Sequence, residues 1–410
     1  MKLHSGNFFW RRMAEEIPRY PVLNRNISCD CLVIGGGISG AICAHLLSMR
    51  GTKTVLAEKH EIASGSTLAN TGILQYTNDK TLTSFIDTFG EDRAVHFYRL
   101  CRDALTHLKE LGRSLDAEVS LQERNSLYLA SSDDDAAMLR TEYENLQKYG
   151  FQVEWWEEKE IGSRFPFRRP AAIYTQGDAE INPYAFVHHL IGQAAVGSSN
   201  LQVYEHTPVT GWEFREDGVI CRSGGYSIKA RHVIFATGYE TQALKREPGA
   251  YLTSTYAIVT EPEKDFGDWY ERCMIWETAR PYLYLRTTPD GRIMAGGMDE
   301  PLAGVGLREG REIQKSRDLL NRIQEMFPAK KGLMAAYSWG AVFGQTRDGL
   351  PYIGTHPDYP HCFFLEGYGG NGTVCSMLAA EMIADVLSGT PRDDMNLFAL
   401  TRTTKPSPVN

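Results

Sequence analysis

Apolar and polar positions follow three different periods along this chain, and each predicts a different element. Residues 29–59 carry the sharpest pattern. A Val/Leu-rich run ends at Ile34, and a glycine cluster follows it. Ile38, Ala41, Ile42, His45, Leu46 and Met49 then recur at helical spacing, and a second short apolar run ends in Glu58. This order predicts a β-α-β unit. Helical patterns return at about 91–113 and 133–149, and another begins at Asn182-Pro183, an N-cap residue with proline at the first helical position. Short strands come next, broken by turns at Glu216-Asp217-Gly218 and Ser223-Gly224-Gly225, and the apolar run 233–236 leads into Thr237-Gly238. Residues 251–298 are rich in strand patterns; within them Tyr282, Tyr284 and Arg286 share one face by alternation. A helix at about 307–327 precedes a strand-loop-helix pattern at 362–387, closed by Gly389. Only the tail TRTTKPSPVN looks loose.

Nucleotide-type elements therefore stand at the beginning, middle and end. The predicted class is α/β: a Rossmann-like domain assembled from 27–95, 178–246 and 336–395, with an inserted α+β domain of 96–177 and 247–335 carrying a mostly antiparallel sheet. Residues 1–26 form an N-terminal extension and 396–410 a tail. The length of 410 residues agrees with about two domains. A formal charge of -8 disfavours nucleic acid and anionic lipid as partners. No apolar run is long enough for a membrane span, and Arg11, Arg12, Glu15 and Glu16 interrupt the region where a signal peptide needs an apolar core, so a cytoplasmic location is expected. The eight cysteines show no CxxC pair or zinc spacing; reduced, structural thiols and no metal site are expected.

Gly35, Gly37 and Gly40 satisfy GxGxxG. The first permits a tight turn, the second lets the backbone approach a pyrophosphate, and the third allows close packing of helix on strand, with Ile38 and Ser39 opening the helix under the phosphates. Glu58 closes the second strand, where a carboxylate accepts hydrogen bonds from a ribose diol and repels a 2'-phosphate; Lys59 follows it. NAD and FAD remain equally compatible, since both carry the ADP half.

Three further stretches separate them: ASGSTLANTG at 63–72, VIFATG at 233–238, and YSWGAVFGQTRDGLPYIG at 337–354 followed by LEGYGGNGTVCS at 365–376. With the glycine motif, these resemble the FAD-dependent oxidoreductases typified by D-amino-acid oxidase, glycine oxidase and monomeric sarcosine oxidase, over nearly the whole chain from about residue 30 to 389. The resemblance implies FAD, held by Gly35, Gly37, Ile38, Ser39, Gly40, Glu58, Lys59, Ser64, Ser66, Thr67, Asn70, Thr71, Gly72, Val209, Thr237, Gly238, Gly369, Gly370, Asn371, Gly372 and Thr373. Asp348 is similar in position to family residues near the flavin chain, and could equally cap a turn. A helix starting near Asn371 would aim its N-terminal dipole at the flavin edge that becomes negative on reduction. Such a helix end stabilises an anion by up to about 2 kcal/mol, or roughly 40 mV for a two-electron couple.

In relatives resembling sarcosine oxidase and dimethylglycine dehydrogenase, a cysteine or a histidine attaches the flavin; the matching positions here are Ala341 and Ala69, so FAD is expected without a covalent link. The arginine that glycine-oxidase-like enzymes place before the T-x-D segment falls on Phe343, and the lysine of sarcosine-oxidase-like enzymes on Asn371. Both carboxylate clamps are missing. The resemblance thus implies C–N oxidation of an amine or N-substituted amino acid by hydride transfer to flavin N5, imine hydrolysis, and reoxidation by O2 or another acceptor. Tyr256, Tyr284, Arg286, Phe343 and Asn371 are the substrate-pocket candidates. No side chain is singled out as a catalytic base, because positioning and water exclusion supply most of such an acceleration, and His188 and His189 are expected in core or surface roles. The alternatives are C–O oxidation of a 2-hydroxy acid or polyol phosphate, and a flavin-binding subunit of a larger complex.

Overall fold

Five parallel strands form the centre of the smaller of two sheets, and their sequences are apolar on both faces because helices cover one side and the hairpin 211–223 packs on the other. In the computed structural model, which describes residues 2–13, 17–115, 117–246, 248–302 and 305–402, this sheet runs Tyr352–His356, Tyr359–Glu366, Tyr226–Phe235, Ile27–Ile34, Thr54–Ala57, Leu201–Tyr204, with the hairpin Gly211–Arg215 and Gly218–Ser223 attached to Tyr226–Phe235. Strands from the beginning, middle and end of the chain pair side by side: Val33 lies opposite Leu56 and Ile234, and Ile234 opposite Phe363. The fold is α/β, with a Rossmann-like domain built from discontinuous segments.

The larger sheet has ten strands, ordered His4–Gly6, Ala335–Thr346, Ala250–Thr260, Ile293–Pro301, Leu283–Thr287, Met274–Glu277, Gln122–Leu129, Ala171–Glu180, Ile73–Leu74, with Val153–Glu157 beside Ala171–Glu180. Among the described residues its one parallel pairing joins Met274–Glu277 to Gln122–Leu129. Membership differs from the expected boundaries in two places. Ala335–Thr346, expected with the nucleotide segments, hydrogen-bonds along its length to Ala250–Thr260. Ile73–Leu74 likewise pairs with Ala171–Glu180. The chain thus leaves the smaller sheet after the 63–72 and 233–238 motifs and returns to it within the 337–354 motif. Of the stretch expected to be loose, Arg402 is fixed by Asp348, while 403–410 lie outside the described residues.

Helices Ile38–Met49, Pro183–Gly197 and Gly372–Leu387 pack on the smaller sheet and on one another. Ile38–Met49 lies between the other two, and Gly372–Leu387 is apolar nearly all round because it is buried nearly all round. Asn182 caps Pro183–Gly197 through the backbone N–H groups of Tyr184 and Ala185. Gly40 is the point of closest approach: a Cβ there would stand 1.8 Å from the Gly35 carbonyl oxygen, so only hydrogen fits between helix and strand end.

Gly40→Ala is therefore expected to destabilise the fold by about 3 kcal/mol, the upper end of overpacking costs. Thermal unfolding of the purified variant measures this, and an unchanged midpoint would mean that the turn relaxes freely.

Candidate cofactor and substrate cavity

The last residues of four parallel strands, Ile34, Ala57, Phe235 and Glu366, line one cavity of ≈ 680 Å³. In an open α/β sheet this is where ligands bind, outside the carboxyl ends of the strands. The cavity continues to the larger sheet, where Ile73, Tyr284, Ala341, Val342 and Phe343 form its wall.

At the nucleotide end Gly35, Gly37, Ile38, Ser39, Glu58, Lys59, Val209, Thr237 and Gly238 all line the space. Glu58 accepts hydrogen bonds from the backbone N–H groups of Gly36 and His60, each at 2.7 Å, which fixes the carboxylate and leaves lone pairs for a diol. Thr67 Oγ1 accepts from Ile38 N at 2.9 Å and so ties the segment 63–72 to the helix start. Ser39 and Ser376 share a hydrogen bond of 2.7 Å, bringing the N-termini of Ile38–Met49 and Gly372–Leu387 together at the cavity. Lys59 is paired with Glu240. Gly40 does not line the cavity; its role is the packing described above.

Ser64, Ser66, Thr67, Ala69, Asn70 and Thr71 form the floor. Four consecutive carbonyls of this segment are held from beneath. Trp339 Nε1 donates to Ala69 O at 3.0 Å, Trp10 Nε1 to Asn70 O at 2.6 Å, and Arg286 Nη1 to Thr71 O and Gly72 O at 3.0 Å each. Gly72 itself, at φ +72°, sits just below the floor with its N–H bonded to Asn70 Oδ1. Arg286, expected in the substrate pocket, lies outside it: it is fully buried, 3.3 Å from the equally buried Glu180, and does not line the cavity. Burial pulls its guanidinium below the ordinary value and Glu180 pulls it back.

The opposite wall is the loop Gly369, Gly370, Asn371, Gly372. Asn371 is the N-cap residue of Gly372–Leu387 but spends its side-chain amide on Thr77 O and Asn78 Oδ1, leaving the first-turn N–H groups facing the cavity without a side-chain cap. Thr373 lies behind the wall, accepting from Asn70 Nδ2 at 3.2 Å. Tyr284 and Phe343 line the cavity. Tyr256 does not: Thr255 lines it, so its neighbour on the strand points to the other face, where Tyr256 Oη donates to Glu300. Asp348 is also outside; it accepts from Leu350 N and grips Arg402 at 2.7 Å, which is turn capping and tail anchoring. Ala69 and Ala341, at the two attachment positions, both line the cavity with bare methyl groups. His188 lies buried edge-on against Tyr184, with its pKa pulled down to about 4 by burial.

Several lining groups carried no signal in the sequence. Asp79, Gln75, Trp276, Tyr239 and Tyr368 face the same space, as do Lys2 and His4 from the N-terminal strand. Gly344 makes room for Tyr239 and Tyr368, since a Cβ there would meet both rings within 2.6 Å. Asp79 Oδ2 accepts from Gly370 N at 2.9 Å. Burial pushes the Asp79 carboxyl up, opposed by Gly370 N–H and Arg280, and pushes Asp299 up to about 6. Among the described residues no His, Cys, Asp and Glu cluster could hold a metal ion, and no helix is long and apolar enough to cross a membrane.

Arg286→Gln would leave Glu180 buried with less compensation and is expected to cost about 3 kcal/mol of stability, read from denaturant unfolding. A variant as stable as wild type but with a raised KM would return Arg286 to the role of a clamp.

The donors suit FAD: two converging helix N-termini, a diol acceptor in Glu58, and two flat backbone surfaces, 69–72 and 369–372, facing one space. A family model described as FAD dependent oxidoreductase matches residues 30–386. Glycine oxidase of Bacillus licheniformis is 26% identical over 371 residues, covering 88% of this chain and 94% of that protein. Gamma-glutamylputrescine oxidoreductase of Escherichia coli (strain K12) is 26% identical over 401 residues, covering 95% and 90%. The crystal structure of glycine oxidase from Geobacillus kaustophilus has the same fold, with a TM-score of 0.76 at 22% identity, over 92% of this chain and 100% of that one. With the match spanning most of the chain, this protein belongs to the DAO family of FAD-dependent oxidoreductases and is an enzyme whose cofactor is FAD.

Proposed function

We propose that this enzyme oxidises the C–N bond of an amine or N-substituted amino acid whose carboxylate, if it has one, is remote from the reacting carbon. The observation that carries this is the composition of the substrate end of the cavity. Gln75, Asp79, Trp276, Tyr239, Tyr282, Tyr284, Phe343 and Tyr368 line the cavity, which has no arginine in its lining and whose two lysines, Lys2 and Lys59, are paired with Glu309 and Glu240. An α-amino acid oxidase needs a cation at that end to hold the substrate carboxylate bidentately. Phe343 and Asn371 occupy the two positions where one was expected.

Bound FAD supplies an acceptor for the hydrogen and electron pair that leave the substrate's α-carbon. The resulting imine takes up water to give a carbonyl compound and the free amine or ammonia, and O2 or another acceptor takes the electrons. The chain's own part is positional. Tyr282 and Tyr284, with centroids 5.8 Å apart, and the pair Tyr239 and Tyr368, at 5.7 Å, enclose an apolar slot that excludes water. The first turn of Gly372–Leu387, which has no side-chain cap, would offer N–H groups to the flavin edge that becomes negative on two-electron reduction.

Oxidation of a polyanionic alcohol finds less support. Of the arginines in the strand-rich region, Arg286 is buried beneath the floor, Arg292 is bound to Asp290 and Thr260 O, and Arg280 stands outside the lining.

Anaerobic mixing of the purified holoenzyme with a panel of amines, α-amino acids and 2-hydroxy acids is expected to bleach the flavin absorbance with amines first. Bleaching by hydroxy acids alone would refute the proposal. Phe343→Arg is expected to improve kcat/KM for simple α-amino acids by on the order of tenfold, the effect of one charge-assisted hydrogen-bonded pair; an unchanged ranking would mean that position 343 does not face the substrate.

A further inference from the structure

We infer that Asp79 reads a second positive charge on the substrate, so that the amine accepted by this cavity carries a distal protonated nitrogen, as an α,ω-diamine does. This rests on the proposed amine oxidation and narrows it.

Asp79 lies on the cavity wall, fixed by Gly370 N–H to Oδ2. Its placement next to the glycine loop puts it beside the space enclosed by Tyr239, Tyr282 and Tyr284. A second carboxylate, Asp299 on Ile293–Pro301, stands behind Thr255, which lines the same wall. The two carboxylates act on one another and on the same four phenols, Tyr239, Tyr251, Tyr282 and Tyr284. Asp299 Oδ1 is buried without a hydrogen-bond partner among the described residues. Burial raises both carboxyl groups, opposed at Asp79 by Gly370 N–H and Arg280 and at Asp299 by the Thr255 side-chain hydrogen bond, Arg280 and Lys315.

The groups facing this pair are few. Arg280 is the cation that acts on both, and it sits outside the lining with its guanidinium over the Tyr282 ring at 5.0 Å and its Nη1 on Thr278 O and Ala279 O. Lys315 acts weakly on Asp299 and is shared with Glu300. Three of the basic side chains that line the cavity are engaged elsewhere: Lys2 with Glu309, Lys59 with Glu240 and His4 with Ser64 O. A carboxylate wall faced by aromatic rings is a receptor for an ammonium group, attracted by the carboxylate charge and by the negative ring faces together. It repels a carboxylate at the same place, which accounts for the missing clamps by the same electrostatics. The reacting nitrogen must be neutral to lose hydride from its α-carbon, so the charge that Asp79 meets belongs to another nitrogen of the same molecule.

The test uses three ligands of equal chain length that differ at the far end: 1,5-diaminopentane, 1-aminopentane and 5-aminopentanoate. Each is mixed anaerobically with the holoenzyme, and the dependence of flavin bleaching on concentration gives Kd and the limiting rate. The diamine is expected to bind at least about tenfold more tightly than either of the others. Asp79→Asn keeps an acceptor for Gly370 N–H, and is expected to reduce the ratio of Kd for 1-aminopentane to Kd for the diamine by about tenfold. A wild-type ranking with 5-aminopentanoate or 1-aminopentane first overturns the assignment, as does a ratio that Asp79→Asn leaves unmoved while the variant keeps its flavin spectrum. Should the variant lose flavin, the wild-type ranking alone decides. If none of the three amines bleaches the flavin while a hydroxy acid does, amine oxidation itself fails, an outcome distinct from amines that react without regard to the distal charge.

Discussion

Four consecutive carbonyl groups, Ala69 to Gly72, are drawn downward by Trp339, Trp10 and Arg286, and the shape of the cavity depends on that capture. The three donors come from distant parts of the chain: the N-terminal extension, the strand Leu283–Thr287 and the strand Ala335–Thr346. Two of them also meet, the Arg286 guanidinium lying 5.6 Å from the centre of the Trp10 indole. With each carbonyl satisfied below, the segment leaves its small side chains and open backbone to the space above. Buried backbone groups are nearly always paired, and here the partners also dictate which way the ribbon faces.

The same device ties the strands of the larger sheet to the floor. Arg286 donates to Ile181 O and pairs with Glu180 at the end of Ala171–Glu180, so the guanidinium spans three chain segments in a volume that water does not enter. Removing one partner of such a pair is costly while the pair itself adds modest net stability; its contribution is to permit one arrangement of floor and wall. Above the floor, the helices Ile38–Met49 and Gly372–Leu387 converge through Ser39 and Ser376, so that one cavity receives two helix N-termini, each suited to negative charge. On the proposed reading Asp79, on the wall of the same cavity, inverts that polarity: helix ends attract negative charge, whereas a carboxylate attracts positive charge.

Much of this was legible in the sequence where a local rule determined it. The helix over 91–113 has the bounds its apolar spacing predicts, with Glu91 and Asp92 in its first turn and Arg113 in its last. Asn182-Pro183 starts a helix as read, and Gly35, Gly37 and Glu58 reach one cavity because a β-α-β unit leaves no other geometry. Where the outcome depended on long-range pairing, the pattern was silent. Alternation put Tyr284 and Arg286 on one face, but could not say that the cavity ends between them. For Tyr256 the phase of the strand decided against it, and that phase is set by pairing with Ala335–Thr346. A three-residue strand such as His4–Gly6 is too short to show a period, and Trp10 is one indole among seven until the floor it supports is known. Asp79 lies beyond the last recognisable residue of the 63–72 segment, in a turn with no period at all.

The most direct measurement is a crystal structure of the enzyme with its cofactor bound. The isoalloxazine ring is expected between residues 69–72 and the Gly369–Gly372 loop, with its N1 and O2 edge at the first turn of Gly372–Leu387, no bond to Ala69 or Ala341, and Arg286 still beneath the floor. A ring placed outside that gap, or a floor released from Trp10, Trp339 and Arg286 in the bound state, would contradict the account.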